Sequence, residues 1–236
     1  MRWGVITFPG SCDDQDVVDS LTFDLKQEVE QLWHKDELSG EFDCLVLPGG
    51  FSYGDYLRCG AMARFSPIMR GVVEHARRGG LVLGICNGFQ ILCEVGLLPG
   101  ALVRNVGLQF VCQPVYLRVE ESDSPFTRNL KKGQVLKIPI KHGEGCYFAD
   151  AATLERMGNN RQILLQYVDA KGKATPAANP NGSLENIAGI CNEGRNVVGL
   201  MPHPEDACNK LLGSDDGTKL FSSIAATVAE GMKRRG

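Results

Sequence analysis

A cysteine lies between two glycines in the stretch LVLGICNGFQIL, residues 81–92. Cys86 follows an apolar run typical of a buried strand and precedes an apolar run with helical spacing. Gly84 and Gly88 lack side chains, so they permit the tight strand-to-helix turn that presents a nucleophile. The following helix N-terminus favours a thiolate over a thiol. The pattern predicts a nucleophilic cysteine, but phosphate-binding turns and structural cysteines share it.

A histidine and a glutamate near the C-terminus are spaced to assist such a nucleophile. His203 and Glu205 flank Pro204 at the end of an apolar run in GLMPHPEDA, residues 199–207. Residues two apart in extended chain face the same side, and Pro204 disfavours a helix at His203. Glu205 is therefore expected to contact one ring nitrogen and leave the other free for proton exchange. A packing or surface role is the common alternative for a single histidine.

A pair of glycines ends a third apolar run, in LPGGFSYGD, residues 47–55. Glycines let backbone N–H groups approach a ligand closely. We predict that the N–H of Gly50 or Phe51, with the N–H of Asn87, forms an oxyanion hole. An ordinary tight turn at Gly49 is the alternative.

Together these groups predict acyl transfer through a thioester. The cysteine attacks a carbonyl carbon while the glycine-loop N–H groups stabilise the oxyanion. The histidine protonates the leaving amine and then activates water for the second half of the reaction.

Alternating apolar runs and helical segments predict a parallel sheet covered on both faces. The predicted strands are 3–8, 44–50, 81–86 and 197–202, and the predicted helices are 13–33, 61–78, 87–98 and 215–234. Pro67 is expected to break or start a helix. Four further strand-like runs without long helices predict antiparallel additions: 110–119, 135–140, 163–168 and 187–191. The predicted fold is an α/β domain over 1–236, an open, mainly parallel sheet flanked by helices, with 173–183 as a surface loop.

Composition excludes several classes of function. The net charge of −3 over 236 residues argues against nucleic acid as a partner. Nine cysteines without a Cys-x-x-Cys pair suggest neither zinc nor disulfides, so we expect no metal site. No signal peptide or membrane-spanning apolar stretch is apparent, which predicts a cytoplasmic protein without a membrane partner.

Four separated motifs resemble one family. GICNGFQ, followed near the C-terminus by HPE, is similar to the class I (triad) glutamine amidotransferases, which have a flavodoxin-like fold. The motifs at 47–61, 84–92, 141–148 and 199–206 look like those of the PurQ family, the glutaminase subunits of phosphoribosylformylglycinamidine synthase. The resemblance implies a catalytic triad and residues that help to bind the substrate. The triad is Cys86, His203 and Glu205, and the binding residues are Gly49, Gln90 and His142.

The resemblance also implies a reaction and its partners. L-glutamine is hydrolysed to glutamate and ammonia, and a synthetase subunit uses the ammonia with ATP and Mg²⁺ in purine biosynthesis. A small third subunit completes the complex, and no cofactor is expected in this chain, which is a hydrolase alone and part of a ligase in the complex. Three departures stand out: Cys146 and Asp206 occupy positions where the family usually has arginine, and PGSCDDQD looks one residue short.

Two other functions remain open from the residues alone. A cysteine hydrolase of the dienelactone-hydrolase or peptidase type shares the cysteine turn, but it does not carry His-Pro-Glu as a unit near the C-terminus. A non-catalytic scaffold could keep the fold, although an intact triad argues against one. The segment 213–219 lacks the order of a phosphate loop and is predicted to cap the last helix.

Overall fold

A mixed nine-stranded sheet carries the fold in the computed structural model, which describes residues 1–233. The strands are β1 Arg2–Thr7, β2 Glu28–Trp33, β3 Cys44–Leu47, β4 Leu81–Ile85, β5 Ala101–Val103, β6 Val111–Val119, β7 Val135–His142, β8 Cys146–Phe148, β9 Ile163–Val168, β10 Ile187–Cys191 and β11 Val197–Leu200. The order across the sheet is β2-β1-β3-β4-β11-β10-β9-β6-β7, and β5 pairs with β8 separately. Adjacent strands from β2 to β11 run parallel, and the pairs beyond β11 are antiparallel. The predicted mainly parallel sheet with antiparallel additions is confirmed.

Helices flank the sheet. They are α1 Asp14–Asp19, α2 Ile68–Arg77, α3 Asn87–Glu94, α4 Ala151–Asn159 and α5 Gly217–Lys233. A π-helical turn, Ser20–Asp24, extends α1, and shorter 3-10 turns include Ser52–Asp55 and Pro204–Ala207. Pro67 is the N-cap residue of α2. Of the two predicted outcomes, a helix break or a helix start, the structure shows the start. Position 234, the predicted end of the last helix, lies outside the described residues. No helix among residues 1–233 is both long and apolar enough to cross a membrane.

The central strands are apolar because both of their faces are covered. Every residue of β3, β4 and β11 is buried. The register pairs Leu47 with Gly84 and Ile85 with Leu200, so these three parallel strands end at the same level. The residues that follow them therefore meet at one edge of the sheet.

The predicted helix over 13–33 is wrong in its second half. The helical spacing holds as far as Asp24, and Lys26 then takes a left-handed φ of 56°. Residues 28–33 form β2, which pairs with β1 over six residues. Val29 and Leu32 fit helical spacing, but pairing with an open sheet edge decided the structure. Sequence reasoning also missed α4, β5 and β8.

The outer antiparallel strand contacts the chain just beyond the parallel strands. The outer strand, β7, contacts the turn Pro204–Ala207, and the His203 N–H donates to the Pro139 carbonyl at 2.8 Å. This contact brings the end of β7 over the edge where β3, β4 and β11 finish. The end of β7 therefore supplies one wall of the site described next.

Candidate active site

Three adjacent parallel strands place the predicted catalytic groups together. Cys86 follows β4, the Gly49–Gly50 pair follows β3 on one side, and His203 follows β11 on the other. The Cys86 N–H donates to the Leu200 carbonyl at 2.8 Å, which fixes the cysteine against the strand that leads to His203. The carboxyl edge of an α/β sheet is where such folds bind ligands.

Cys86 occupies a strained turn between β4 and α3. Its φ of 49° and ψ of −102° are unusual for a residue with a side chain. A Cβ on Gly84 would lie 2.7 Å from the Gly88 carbonyl oxygen, and a Cβ on Gly88 would overlap the Leu47 carbonyl oxygen. Both glycines are therefore required for close packing of turn and strand, as the nucleophile-turn interpretation predicted.

His203 and Glu205 form a buried pair. Glu205 Oε1 lies 2.6 Å from His203 Nδ1, and both side chains are inaccessible to solvent. Burial opposes a charged imidazole, but the Glu205 carboxylate and Cys86 outweigh it and raise the pKa of His203 well above its usual value. Burial also raises the pKa of Glu205, and the charge of His203 works against that rise. The predicted contact between these two side chains is thus present.

The second ring nitrogen of His203 is left for the nucleophile. His203 Nε2 is buried and has no hydrogen-bond partner among the described residues. Cys86 is close enough to the ring for its thiolate form to favour the protonated imidazole. The Cys86 thiol itself donates to the Lys141 carbonyl at 3.6 Å. An orphaned ring nitrogen beside a thiol is the arrangement that proton exchange requires.

The candidate oxyanion donors differ in their availability. The Phe51 N–H donates to the Gly10 carbonyl at 2.8 Å, so this predicted donor is committed to the backbone. The Gly50 N–H makes no hydrogen bond among the described residues. Asn87 is the first residue of α3, so its N–H has no partner within the helix. We therefore assign the oxyanion hole to Gly50 and Asn87, an assignment that stays a prediction.

A cavity of about 200 Å³ opens at Cys86. It is lined by Gly50, Phe51, Asp55, Cys59, Cys86, Gln90, Phe110, Lys141, His142, Gly143 and Glu144. Gln90 donates to the Glu144 carbonyl at 2.7 Å and accepts from Asn87 at 2.8 Å, so it fastens α3 to the loop after β7. Gly49 is not in this wall; a Cβ there would lie 2.6 Å from His203 Cε1, so Gly49 makes room for the imidazole.

His142 lines the cavity, but other side chains hold its ring. Nδ1 lies 3.1 Å from Asn105 Oδ1, and Nε2 lies 3.4 Å from Asn181 Nδ2. Burial and the charge of His203 lower the pKa of His142 to about 4, so the ring is neutral at pH 7. Asn105 and Asn181 also bond the backbone of Gly145. His142 is thus built into the support of this loop, and its predicted part in substrate binding remains a prediction.

Sequence reasoning missed several polar residues at the site. Lys141 bonds Asp13 at 2.8 Å and Asp206 at 2.6 Å, next to the histidine. Glu144 accepts from the Cys59 thiol at 3.1 Å inside the cavity wall. Asp206 had been singled out only as a departure from the family pattern. Lys141 and Glu144 lie on either side of His142 in KHGEG. Their closeness in sequence to a predicted site residue was the signal that could have identified them.

Most of the other cysteines are packed thiols, whereas Cys12 and Cys112 are exposed. Burial raises the pKa of Cys191 to about 11 and also raises the pKa of Cys44, Cys93 and Cys208. Burial and the bond to Glu144 likewise raise the pKa of Cys59. These thiols are protonated at neutral pH and are poor nucleophiles.

One cluster at the site has side chains of the types that bind metal ions. Asp13, His203 and Glu205 offer three ligand atoms within 4.8 Å of one another. The Lys141 ammonium already bonds Asp13, so a cation balances this carboxylate. The expectation that the chain holds no metal or other cofactor stays a prediction.

Comparisons with known proteins agree with this geometry. Residues 2–219 match the model of the CobB/CobQ-like glutamine amidotransferase domain. The phosphoribosylformylglycinamidine synthase subunit PurQ of Moorella thermoacetica is 59% identical, over 95% of each chain, and that of Gloeobacter violaceus is 55% identical over 97% of this chain and 98% of its own. The chain belongs to the PurQ family. A chain of the solved PurLQS structure from Thermotoga maritima is 42% identical, with a TM-score of 0.84 over 96% of this chain and 98% of that one.

Membership of the PurQ family makes this chain a glutamine amidotransferase and confirms the predicted family and fold. Two of the three departures from the expected PurQ pattern have clear surroundings. Cys146 is buried at the start of β8. Asp206 pairs with Lys141 beside the His203–Glu205 pair. The first departure is a packing residue, whereas the second adds a charge at the site.

Proposed function

We propose that this chain hydrolyses the side-chain amide of L-glutamine through a thioester on Cys86 and supplies the ammonia to a synthetase subunit. The observation that carries the proposal is the strained Cys86 turn beside the orphaned Nε2 of His203, at the end of a cavity of about 200 Å³. A cavity of this size suits a single amino acid. The names of the relatives support phosphoribosylformylglycinamidine synthase as the enzyme in which the ammonia is used.

Each step uses a group at the site. The Cys86 thiolate attacks the amide carbon, and the N–H groups of Gly50 and Asn87 stabilise the oxyanion. The C–N bond breaks as His203 donates a proton to the leaving nitrogen, which departs as ammonia. Water then attacks the thioester, His203 takes its proton, and the C–S bond breaks to give glutamate. Glu205 orients the ring through Nδ1 in both halves.

The partner performs the chemistry that this chain does not. We place ATP and Mg²⁺ in a synthetase subunit and expect a small third subunit to complete the complex, which the solved PurLQS structure of a relative supports. All nine cysteines are free thiols, in keeping with a reducing compartment such as the cytoplasm.

Direct trapping tests the thioester. We expect slow glutamine hydrolysis by the isolated chain, faster hydrolysis with its synthetase partner, and, after acid quench, a glutamyl adduct on the peptide that carries Cys86. Mass spectrometry of the digested protein locates the adduct. An adduct on another residue, or none during measurable turnover, contradicts the mechanism. Robust ester or peptide hydrolysis without glutamine turnover favours a cysteine hydrolase instead.

The rim of the cavity offers an apolar surface for the partner. Phe51 and Phe110 line the cavity, remain about half exposed and contact each other with ring centroids 6.3 Å apart. Tyr56 and Leu57 project from the loop that follows Phe51. Ammonia must reach the synthetase without loss to water, so we place the synthetase subunit over this rim.

A charge at the rim is expected to uncouple the two subunits. Leu57 is 83% exposed, so Leu57→Glu should leave the fold and the free glutaminase rate unchanged. The charge would be desolvated in the complex, and we expect glutamine-dependent synthesis to fall about tenfold or more while ammonia-dependent synthesis persists. Leu211→Glu, at a leucine that is 93% exposed elsewhere, is the matched control. Equal effects of the two variants would contradict the placement of the synthetase subunit over this rim.

A further inference from the structure

A lysine lies between two carboxylates directly behind the catalytic histidine. Lys141 Nζ is 2.8 Å from Asp13 Oδ1 and 2.6 Å from Asp206 Oδ2. Only 26% of the lysine side chain is exposed, and the two aspartates are at 12% and 25%. Burial opposes the charge, but the two carboxylates raise the pKa of Lys141, so the ammonium persists across the working pH range.

Asp13 connects this cluster to the triad. Its second oxygen, Oδ2, lies 3.7 Å from His203 Nδ1, the same nitrogen that Glu205 holds at 2.6 Å. The histidine therefore faces two carboxylates on one side. Cys86 faces it from the turn after β4, and His142, neutral at pH 7, faces it from β7.

The backbone of Lys141 meets the nucleophile as well. Its carbonyl accepts from the Cys86 thiol at 3.6 Å, and two residues earlier the Pro139 carbonyl accepts from the His203 N–H. Lys141 and His142 point to opposite faces of β7, as neighbours on a strand must. One strand end thus touches the nucleophile, the histidine and the acid cluster.

We propose that Lys141 is a positioning residue that neutralises Asp13 and Asp206 and thereby sets the pH range over which the Cys86–His203 pair is active. Without the ammonium, Asp13 would stand uncompensated beside His203 Nδ1. The imidazolium would then be too stable to return its proton to the leaving nitrogen at neutral pH. The inference rests on the proposed function only in treating Cys86 and His203 as an interacting pair.

The sign of the effect follows from the charges. Removing a positive charge makes thiolate formation at Cys86 less favourable and makes the imidazolium of His203 more favourable. In a plot of Cys86 reactivity against pH, the transition for thiolate formation and the transition for loss of the imidazolium should therefore both move to higher pH. Removing the negative charge of Asp206 should move them to lower pH.

The test measures alkylation of Cys86 by iodoacetamide against pH, followed on the Cys86 peptide so that other thiols do not interfere. For Lys141→Met we expect the pH midpoints of both transitions to increase by about one unit. Lys141→Arg should keep the wild-type profile. Asp206→Asn should shift it downward, and the Lys141→Met/Asp206→Asn double variant should return toward the wild type because the net charge is restored.

Lys173→Met is the matched control, because this lysine is exposed on the loop after β9. Superimposable profiles for Lys141→Met and the wild type overturn the inference, as does an equal shift in Lys173→Met. If Lys141→Met does not fold, the Asp206→Asn variant decides the question. A pH profile of this variant that is unshifted, or shifted to higher pH, overturns the inference. Alkylation needs no glutamine, so absence of glutamine turnover would sink the proposed function and leave this comparison intact.

Discussion

Cys86→Ala is expected to abolish glutamine-dependent synthesis by the reconstituted synthase while leaving ammonia-dependent synthesis intact. In the proposed mechanism the Cys86 thiol forms the covalent intermediate, and loss of the nucleophile from such a triad costs on the order of 10⁶-fold in kcat. Ammonia supplied from solution bypasses the thioester, so the partner's chemistry continues. The measurement compares product formation by the complex with glutamine and with ammonium salt as the nitrogen donor.

The control for this variant is Cys112→Ala, at an exposed cysteine on β6. We expect wild-type rates with both nitrogen donors. Should Cys86→Ala retain glutamine-dependent synthesis near the wild-type rate, the chain would be a scaffold and its nucleophile would lie elsewhere. Loss of both activities would indicate a damaged complex, which size-exclusion chromatography of the assembled subunits detects.

Glu205→Gln is expected to lower kcat for glutamine hydrolysis on the order of 10⁴-fold. The amide NH₂ would face His203 Nδ1, which forces the ring proton onto Nε2, the nitrogen that must accept from Cys86. The carboxylate is also the principal group that raises the pKa of His203 against burial. Without it burial prevails, so the imidazolium is lost at lower pH and the alkaline limb of kcat/KM moves downward.

The pH–rate profile separates this effect from a change in structure. Glu193→Gln, at an exposed glutamate, should leave both kcat and the alkaline limb unchanged. A Glu205→Gln enzyme with reduced kcat and an unshifted alkaline limb would argue that Glu205 orients the ring without setting its charge. An enzyme with undiminished kcat would remove Glu205 from the mechanism.

Local chemistry was readable where the required residues are adjacent in the chain. Gly84, Cys86 and Gly88 encode the strained turn because only glycine tolerates the close approach of Leu47 and of the turn itself. His203 and Glu205 meet because they are two residues apart around a proline. The all-apolar runs of β3 and β4 identified parallel strands because covering both faces of a sheet leaves no position for polar residues.

Patterns compatible with two structures were decided by pairing. Residues 28–33 have the apolar spacing of a helix, but pairing with the open edge beside β1 selected a strand. From the sequence, the N–H groups of Gly50 and Phe51 were equal candidates for the oxyanion hole. The hydrogen bond from the Phe51 N–H to the Gly10 carbonyl leaves Gly50 as the available donor. The strand pairing and the hydrogen bond both depend on residues that are distant in the chain or lie in another loop.

The sequence alone determined the strained turn at Cys86, the contact between His203 and Glu205 and the parallel sheet that presents them, because these features rest on neighbouring residues and short-range sterics. Only the tertiary structure decided that Asp13, Lys141 and Asp206 form one charged cluster behind His203. These residues come from three distant segments, and no spacing along the chain records that the contact between β7 and the residues after β11 brings them together. Electrostatic coupling depends on distance in space, which the fold alone sets.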